Sequence, residues 1–136
     1  MRNNIQKSLV IVKPDGVKLK VVGEIISRFE KIGLDIEKIE MTSINRELAC
    51  KHYCAHTKRD FFEKLIDYVT SGPAVVMIIS GEEAISRARD LMGPTDSREA
   101  EKGTIRGDYG KDNTINVIHG SDSEDSARRE IELFFE

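Results

Sequence analysis

Apolar positions along the chain fall into two kinds of pattern, and the two alternate. Leu9 to Val12 form an uninterrupted apolar tetrad, "LVIV", and a second such run, "AVVMII", follows Pro73. Runs of this kind suit strands buried on both faces. Between them, Val22, Ile25, Ile26 and Phe29 recur at i, i+3, i+4 and i+7, and Gly33 supplies a stop. That spacing predicts an amphipathic helix. "LDIEKIEMTS" alternates with one phase break, as a half-exposed strand does. Asn45 predicts the cap of a short helix through Cys50. A further helix from near Asp60 turns Phe62, Leu65, Ile66 and Val69 inward, and Gly72-Pro73 ends it. "SGEE" then predicts a capping box, with Ser80 as N-cap and Glu83 at N3. The helix after it buries Ala84, Ile85, Ala88 and Leu91.

From Met92 to Thr114 the periodicity fades among Gly93, Pro94, Gly103, Gly107 and Gly110. This predicts a long loop, and a loop of that length inside a compact domain is usually functional. "INVI" predicts a short strand. Ser121 or Ser123 then caps a last helix that turns Ala127, Ile131 and Phe134 inward. No repeat, low-complexity tract or linker interrupts the 136 residues, so a single domain, 1–136, is expected. Helices on one side of a small sheet give an α+β sandwich.

Charge narrows the classes. A third of the residues are charged and the net charge is −3, which argues against a generic nucleic-acid binder. No apolar run approaches the roughly 20 residues that cross a bilayer. The N-terminal apolar run ends at Lys13 without a small-residue cleavage site. It therefore reads as a strand rather than a signal peptide, and a cytoplasmic location is expected. "CKHYCAH" invites a metal through Cys50, His52, Cys54 and His56. On a helix Cys50 and Cys54 share a face, whereas His52 lies about 200° round from Cys50. Ordinary thiols are expected there rather than zinc ligands, and no disulfide in a reducing compartment.

Four stretches hold candidate chemistry. In "VKPDGV", Lys13 stands at the end of a buried strand, followed by turn residues. By itself it is either a ligand contact or a snorkelling cation. No GxxxxGK[ST] occurs, so this is not a Walker-type loop. In "RDFFEKL", Phe61 falls about 100° from Phe62, at the margin of the core face. It is free to stack on a base or to sit as a partly buried edge residue. Arg89, Thr95 and Arg106 surround the glycine-rich stretch and suit a phosphate chain, although single arginines are usually solvated. In "NVIHGSDSEDS", His119 follows a strand and precedes a helix start, with Ser121 close by. Glu130 lies two turns beyond Ser123, on the same face. A neutral imidazole is a good nucleophile near neutral pH, provided one nitrogen is free and the other is oriented.

Taken together, "KPDGV", "RDFF", "SGP", "GTIRGDYG", "NVIHGSDS" and "REIELFF" resemble the motifs of nucleoside diphosphate kinases over essentially the whole chain. The resemblance implies a ferredoxin-like sandwich with a four-stranded antiparallel sheet covered by helices. It implies ping-pong transfer of a γ-phosphoryl from a nucleoside triphosphate to a nucleoside diphosphate, with His119 as the phosphorylated residue. It implies that Lys13 and Asn116 hold the ribose hydroxyls, with Lys13 also near the γ-phosphate. Phe61 would stack on the base without selecting it, and Arg89, Thr95 and Arg106 would clamp the phosphates. Tyr53 would place a hydroxyl near the γ-phosphate, and Glu130, with Ser121 nearby, would orient His119. Mg²⁺ would ride on the nucleotide phosphates, with no protein metal ligand. A tetramer or hexamer built from a common dimer is implied, with no membrane or nucleic-acid partner.

The chain departs from the family pattern at Lys18-Leu19-Lys20, where a Gln-Arg-Gly type turn is usual. It departs also at Asp60, Ile115 and Glu124. Two rivals stand beside the enzyme: a catalytically idle relative that binds nucleotides or partners, and a nucleic-acid binder on the same sandwich.

Overall fold

The computed structural model describes residues 5–53 and 62–135. Four strands form one sheet: β1 (Ile5–Val12), β2 (Asp35–Ser43), β3 (Pro73–Glu82) and β4 (Ile118–Gly120). Their order is β2-β3-β1-β4 and every pairing is antiparallel. Among the described residues there are seven α-helices: α1 (Pro14–Lys18), α2 (Val22–Lys31), α3 (Arg46–His52), α4 (Phe62–Val69), α5 (Ala84–Met92), α6 (Ile105–Tyr109) and α7 (Glu124–Phe135).

The helices cover both faces of the sheet, not one as expected. The reason lies in the two apolar runs: a strand that is apolar at every position must be covered twice. Alternation along β1 divides the core. Val10 and Val12 point to a cluster with Ile25 and Phe29 of α2 and Ala84, Ala88 and Met92 of α5. Leu9 and Ile11 point to the other, with Ala49 of α3 and Phe62, Leu65, Ile66 and Val69 of α4. Ile131 and Phe134 of α7 pack partly buried against this second cluster.

Several local expectations hold. The phase break in β2 is a register shift between Ile36 and Lys38, as a bulge produces. Asn45 caps α3 by accepting from Leu48 N–H at 2.8 Å. Ser123, not Ser121, caps α7, accepting from Ser126 N–H at 3.0 Å.

Others are corrected. Ser80 is no N-cap: it lies inside β3, paired with Lys7 and Asp35. Glu83 takes that place with a φ of 51° and no side-chain cap bond. The ladder hydrogen bonds of three strands outweigh a local capping box. Leu91 is only half-buried, and Met92 fills the core position. The expected long loop contains a 3₁₀ turn at Ser97–Glu99 and α6. The short last strand is β4, which shares only Ile118 with "INVI" and runs on to Gly120. The "KPDGV" stretch is helical from Pro14 to Lys18, with proline at the first turn. No helix among the described residues is long and apolar enough to cross a membrane.

Candidate active site

The site gathers where β1 and β4 run out beneath α3 and α7. His119 pairs across the ladder with Ile11. Paired residues share a face, so its ring points to the α3–α4–α7 side. There it meets Glu130 of α7: Nε2 lies 3.1 Å from Glu130 Oε1. Ser121 Oγ donates to the same oxygen at 2.7 Å and accepts from Leu9 N–H at 2.9 Å. The serine thereby ties the carboxylate to the β1 backbone. Glu130 and Ser121 are buried, and the His119 side chain keeps 19% of its surface exposed. With Nε2–H donating to a carboxylate, Nδ1 carries the lone pair. No hydrogen bond to Nδ1 occurs among the described residues.

A second histidine, His52, shares the site. Its buried ring packs edge-on against His119 at 4.6 Å between centroids, and against Tyr53 and Phe134. Its Nδ1 lies 3.9 Å from Glu130 Oε2. Sequence reasoning weighed His52 only as a metal ligand beside Cys50. Its position one residue before Tyr53, at the end of an amphipathic helix, was the available signal. His52, His119 and Glu130 bring possible ligand atoms within 4.8 Å of one another. One Glu130 oxygen is already engaged by Ser121 and His119, the other lies 3.7 Å from Arg129, and further cations stand close by. The trio therefore orients an imidazole better than it holds a divalent ion.

Those cations are Lys13, Arg89 and Arg106. Lys13 Nζ donates to Asn116 Oδ1 at 2.8 Å, and Asn116 Nδ2 donates to the Thr95 carbonyl at 2.8 Å. Arg106, on α6, donates to the carbonyls of Gly93 at 3.0 Å and Ile118 at 2.6 Å. Arg89, on α5, donates to the Gly120 carbonyl at 3.1 Å. Both arginines are thus anchored on backbone that flanks His119. Gly107 lets the turn before α6 fold tightly against it: a Cβ there would lie 1.9 Å from the Glu101 carbonyl oxygen.

The electrostatics follow from this crowding. Burial, then Arg106, lower the Lys13 pKa to about 7, against an opposing pull from Asp15. Burial, then Arg89, lower Arg106 to about 10. Burial also depresses His119, opposed by Glu130 and reinforced by Lys13 and Arg106. The imidazole is therefore held neutral. Burial and Glu130 push the Tyr53 phenol up, so it stays protonated. Cations that depress one another form a site that an anion would relieve.

Of the residues expected from sequence, His119, Glu130, Ser121, Lys13, Asn116 and Arg106 converge. Tyr53 adjoins through His52, and Arg89 through Gly120. Thr95 is exposed and joins through its carbonyl. Phe61 lies outside the described residues, as do Cys54 and His56.

Known proteins share this sequence and fold. The family model described as nucleoside diphosphate kinase matches residues 6–136. The nucleoside diphosphate kinase of Sulfurisphaera tokodaii is 52% identical over 132 residues, covering 97% of this chain and 90% of the relative. That of Pyrococcus furiosus is 53% identical over 136 residues, covering 98% and 84%. Among solved structures, the Aquifex aeolicus nucleoside diphosphate kinase superposes with a TM-score of 0.94 at 40% identity, covering 97% of this chain and 96% of its own. The halophilic enzyme from Halobacterium salinarum, in complex with CDP, superposes with a TM-score of 0.94 at 44% identity, covering 99% and 89%. A likeness that holds in sequence, in fold and over nearly the full length of both partners leaves one conclusion: the chain belongs to the nucleoside diphosphate kinase family.

Proposed function

We propose that the chain, working as one domain over residues 1–136, moves the γ-phosphoryl group of a nucleoside triphosphate to a nucleoside diphosphate in two steps through His119. The observation that carries this reading is the pairing of His119 Nε2 with Glu130 at 3.1 Å in a pocket that also gathers the cations Lys13, Arg89 and Arg106. His119 Nδ1 attacks the γ-phosphorus. The bond from that phosphorus to the β–γ bridging oxygen breaks, and the diphosphate leaves with its electron pair. Glu130 stabilises the charge that develops on the ring, and Ser121 keeps Glu130 in place. A second nucleoside diphosphate then attacks the phosphohistidine in reverse. Catalysis of this kind is mostly positioning and charge neutralisation, the work of Lys13, Arg89 and Arg106, with Thr95 and Tyr53 beside them. Lys13 and Asn116 also hold the ribose hydroxyls, and Phe61 stacks on the base.

The residues around His119 fit a phosphate chain whose Mg²⁺ is carried by its own oxygens, where the ion neutralises phosphate charge. The free Cys50 thiol agrees with work in the cytoplasm. The edge strand β2 supports a homo-oligomer, tetramer or hexamer: Ile39 and Met41 on it are 52% and 60% exposed. The net charge of −3 gives no support to a nucleic-acid partner.

The test uses γ-labelled ATP with Mg²⁺. Label should appear on His119 as an acid-labile adduct and chase into GTP when GDP is added. His119→Ala should lose turnover while still binding ADP. Exchange by that variant at the wild-type rate would sink the assignment. Nucleotide binding without label would favour the idle relative.

A further inference from the structure

Val117 is fully buried and has a φ of 75°. Ile118 N–H donates to the Asn116 carbonyl at 2.8 Å, closing a γ-turn around it. With a positive φ, this turn is the rare and strained form, and a β-branched residue there is an outlier. Local sequence does not supply it, since no glycine stands at the position. Two hydrogen bonds from far along the chain do. Val117 N–H donates to Asp15 Oδ2 at 3.0 Å, and Lys13 N–H donates to the Val117 carbonyl at 2.7 Å. Asp15 is itself fixed by α4, its N–H donating to the Tyr68 hydroxyl at 3.2 Å. Gly16 leaves the room, because a Cβ there would lie 2.9 Å from Val117 Cγ1.

The strained peptide sits among the functional groups. Asn116 before it accepts from Lys13 Nζ, Ile118 after it accepts from Arg106, and His119 follows. Its orientation therefore sets the direction of Asn116 and the start of β4. Strain at such a place persists only where the surroundings over-determine it.

We propose that Asp15 is a positioning residue: by holding Val117 N–H it latches the strained turn that aligns Asn116 and Lys13 with His119 for nucleotide binding. This rests on the phosphotransfer reading of the site. Asp15 acts through its neighbours: Oδ2 accepts from the Val117 backbone, and its charge favours the protonated form of Lys13.

The test compares full-length wild type with Asp15→Asn, Asp15→Ala and the double variant Asp15→Ala/Val117→Gly. For each, KM and kcat, ADP affinity by calorimetry, and Tm are measured. Asparagine keeps an oxygen that accepts from Val117, and alanine does not. Glycine adopts positive φ without steric cost, so the turn then needs no latch. Asp15→Ala should raise KM and weaken ADP binding about tenfold or more, since small misplacements at a site cost this much. Asp15→Asn should stay within about threefold of wild type on the same scale. The double variant should recover KM and ADP affinity while its Tm stays below that of wild type. A role confined to folding would move KM and Tm together. An unchanged KM in Asp15→Ala, an Asp15→Asn as impaired as Asp15→Ala, or a double variant no better than the single would each overturn the latch. Wild-type labelling of His119 is the control: its failure would tell against the reaction, whereas a failed latch leaves it intact.

Discussion

Lys13 ties the chemistry of the site to pH. Burial and Arg106 hold its pKa near 7 rather than 10.5. The free protein thus carries a partly neutral lysine at neutral pH, and an incoming phosphate favours the protonated form. Nucleotide binding should therefore take up a proton above pH 7, which calorimetry in buffers of different ionisation enthalpy would detect. The kcat/KM profile should fall on the alkaline side from about pH 7, while kcat, which reports the complex, holds to higher pH. A kcat/KM flat to pH 9 would contradict this. The sign for stability is opposite to that of an ion-paired lysine. The folded state binds fewer protons than the unfolded one between about pH 7 and 10.5, so this group's cost to folding is fully present below pH 7 and is relieved as pH rises through that window. On the acid side, the depressed His119 pKa favours the neutral imidazole that the proposed reaction needs.

Ser121 makes a second residue-scale prediction. It is fully buried and serves both Leu9 N–H and Glu130. Ser121→Ala should cost about 1–3 kcal/mol of stability, because it leaves buried polar groups without that partner. It should also lower kcat more than it raises KM, since Glu130 orients the histidine and not the nucleotide. Equal kcat in the variant would remove Ser121 from the relay. Residues of this kind differ in how far the sequence exposes them. His119 and Lys13 stand in short motifs at strand ends, and their convergence was expected. His52 and Asp15 act through His119 and Val117, partners far away in the chain, and no local pattern marks such a distance.

At the scale of elements, the connection between α1 and α2 holds a correctable strain. Lys20 has a φ of 62°, in the left-handed region, where nucleoside diphosphate kinases usually place glycine. A side chain there costs energy that glycine avoids. Lys20→Gly should raise stability by about 0.5–1 kcal/mol and Tm by about 2–4 °C, read by thermal unfolding. No gain would mean that the lysine makes a compensating contact. The amphipathic helices α2 and α4 and the buried runs of β1 and β3 were legible, because their periodicity records which side faces the core. The helices at Pro14–Lys18 and Ile105–Tyr109 were not. Each is five residues long, too short to show a period, and each is held by tertiary contacts rather than propensity. The false cap at Ser80 failed for a related reason: β1 and β2 pair with Ser80 from both sides, and β1 goes on pairing with β3 through Glu82.

For the whole molecule, β2 bears on assembly. It lies at the sheet edge, its pairing groups on the outer side are unpaired within the sheet, and Ile39 and Met41 are exposed on it. Isolated proteins blunt such edges with charge or proline. Met41→Lys should therefore shift the protein toward smaller species, measured by sedimentation or light scattering across concentration. An unchanged assembly would place the subunit contact elsewhere. His119 lies across the sheet from this edge, on the opposite outer strand, so the variant should keep turnover if a single chain carries a full site.

The sequence by itself determined which segments are buried, which face of each long helix packs, and which residue types could handle a phosphate, since periodicity and side-chain chemistry are local properties. The tertiary structure decided the rest: that helices cover both faces of the sheet, that His119 turns toward Glu130 and His52, and that Arg106 anchors on the carbonyl before the histidine. It decided also that a buried valine takes a left-handed φ because a carboxylate over a hundred residues away accepts its N–H. These depend on which strands pair and in what register. That choice is settled by the combined burial and hydrogen bonding of the whole chain, which no single segment encodes.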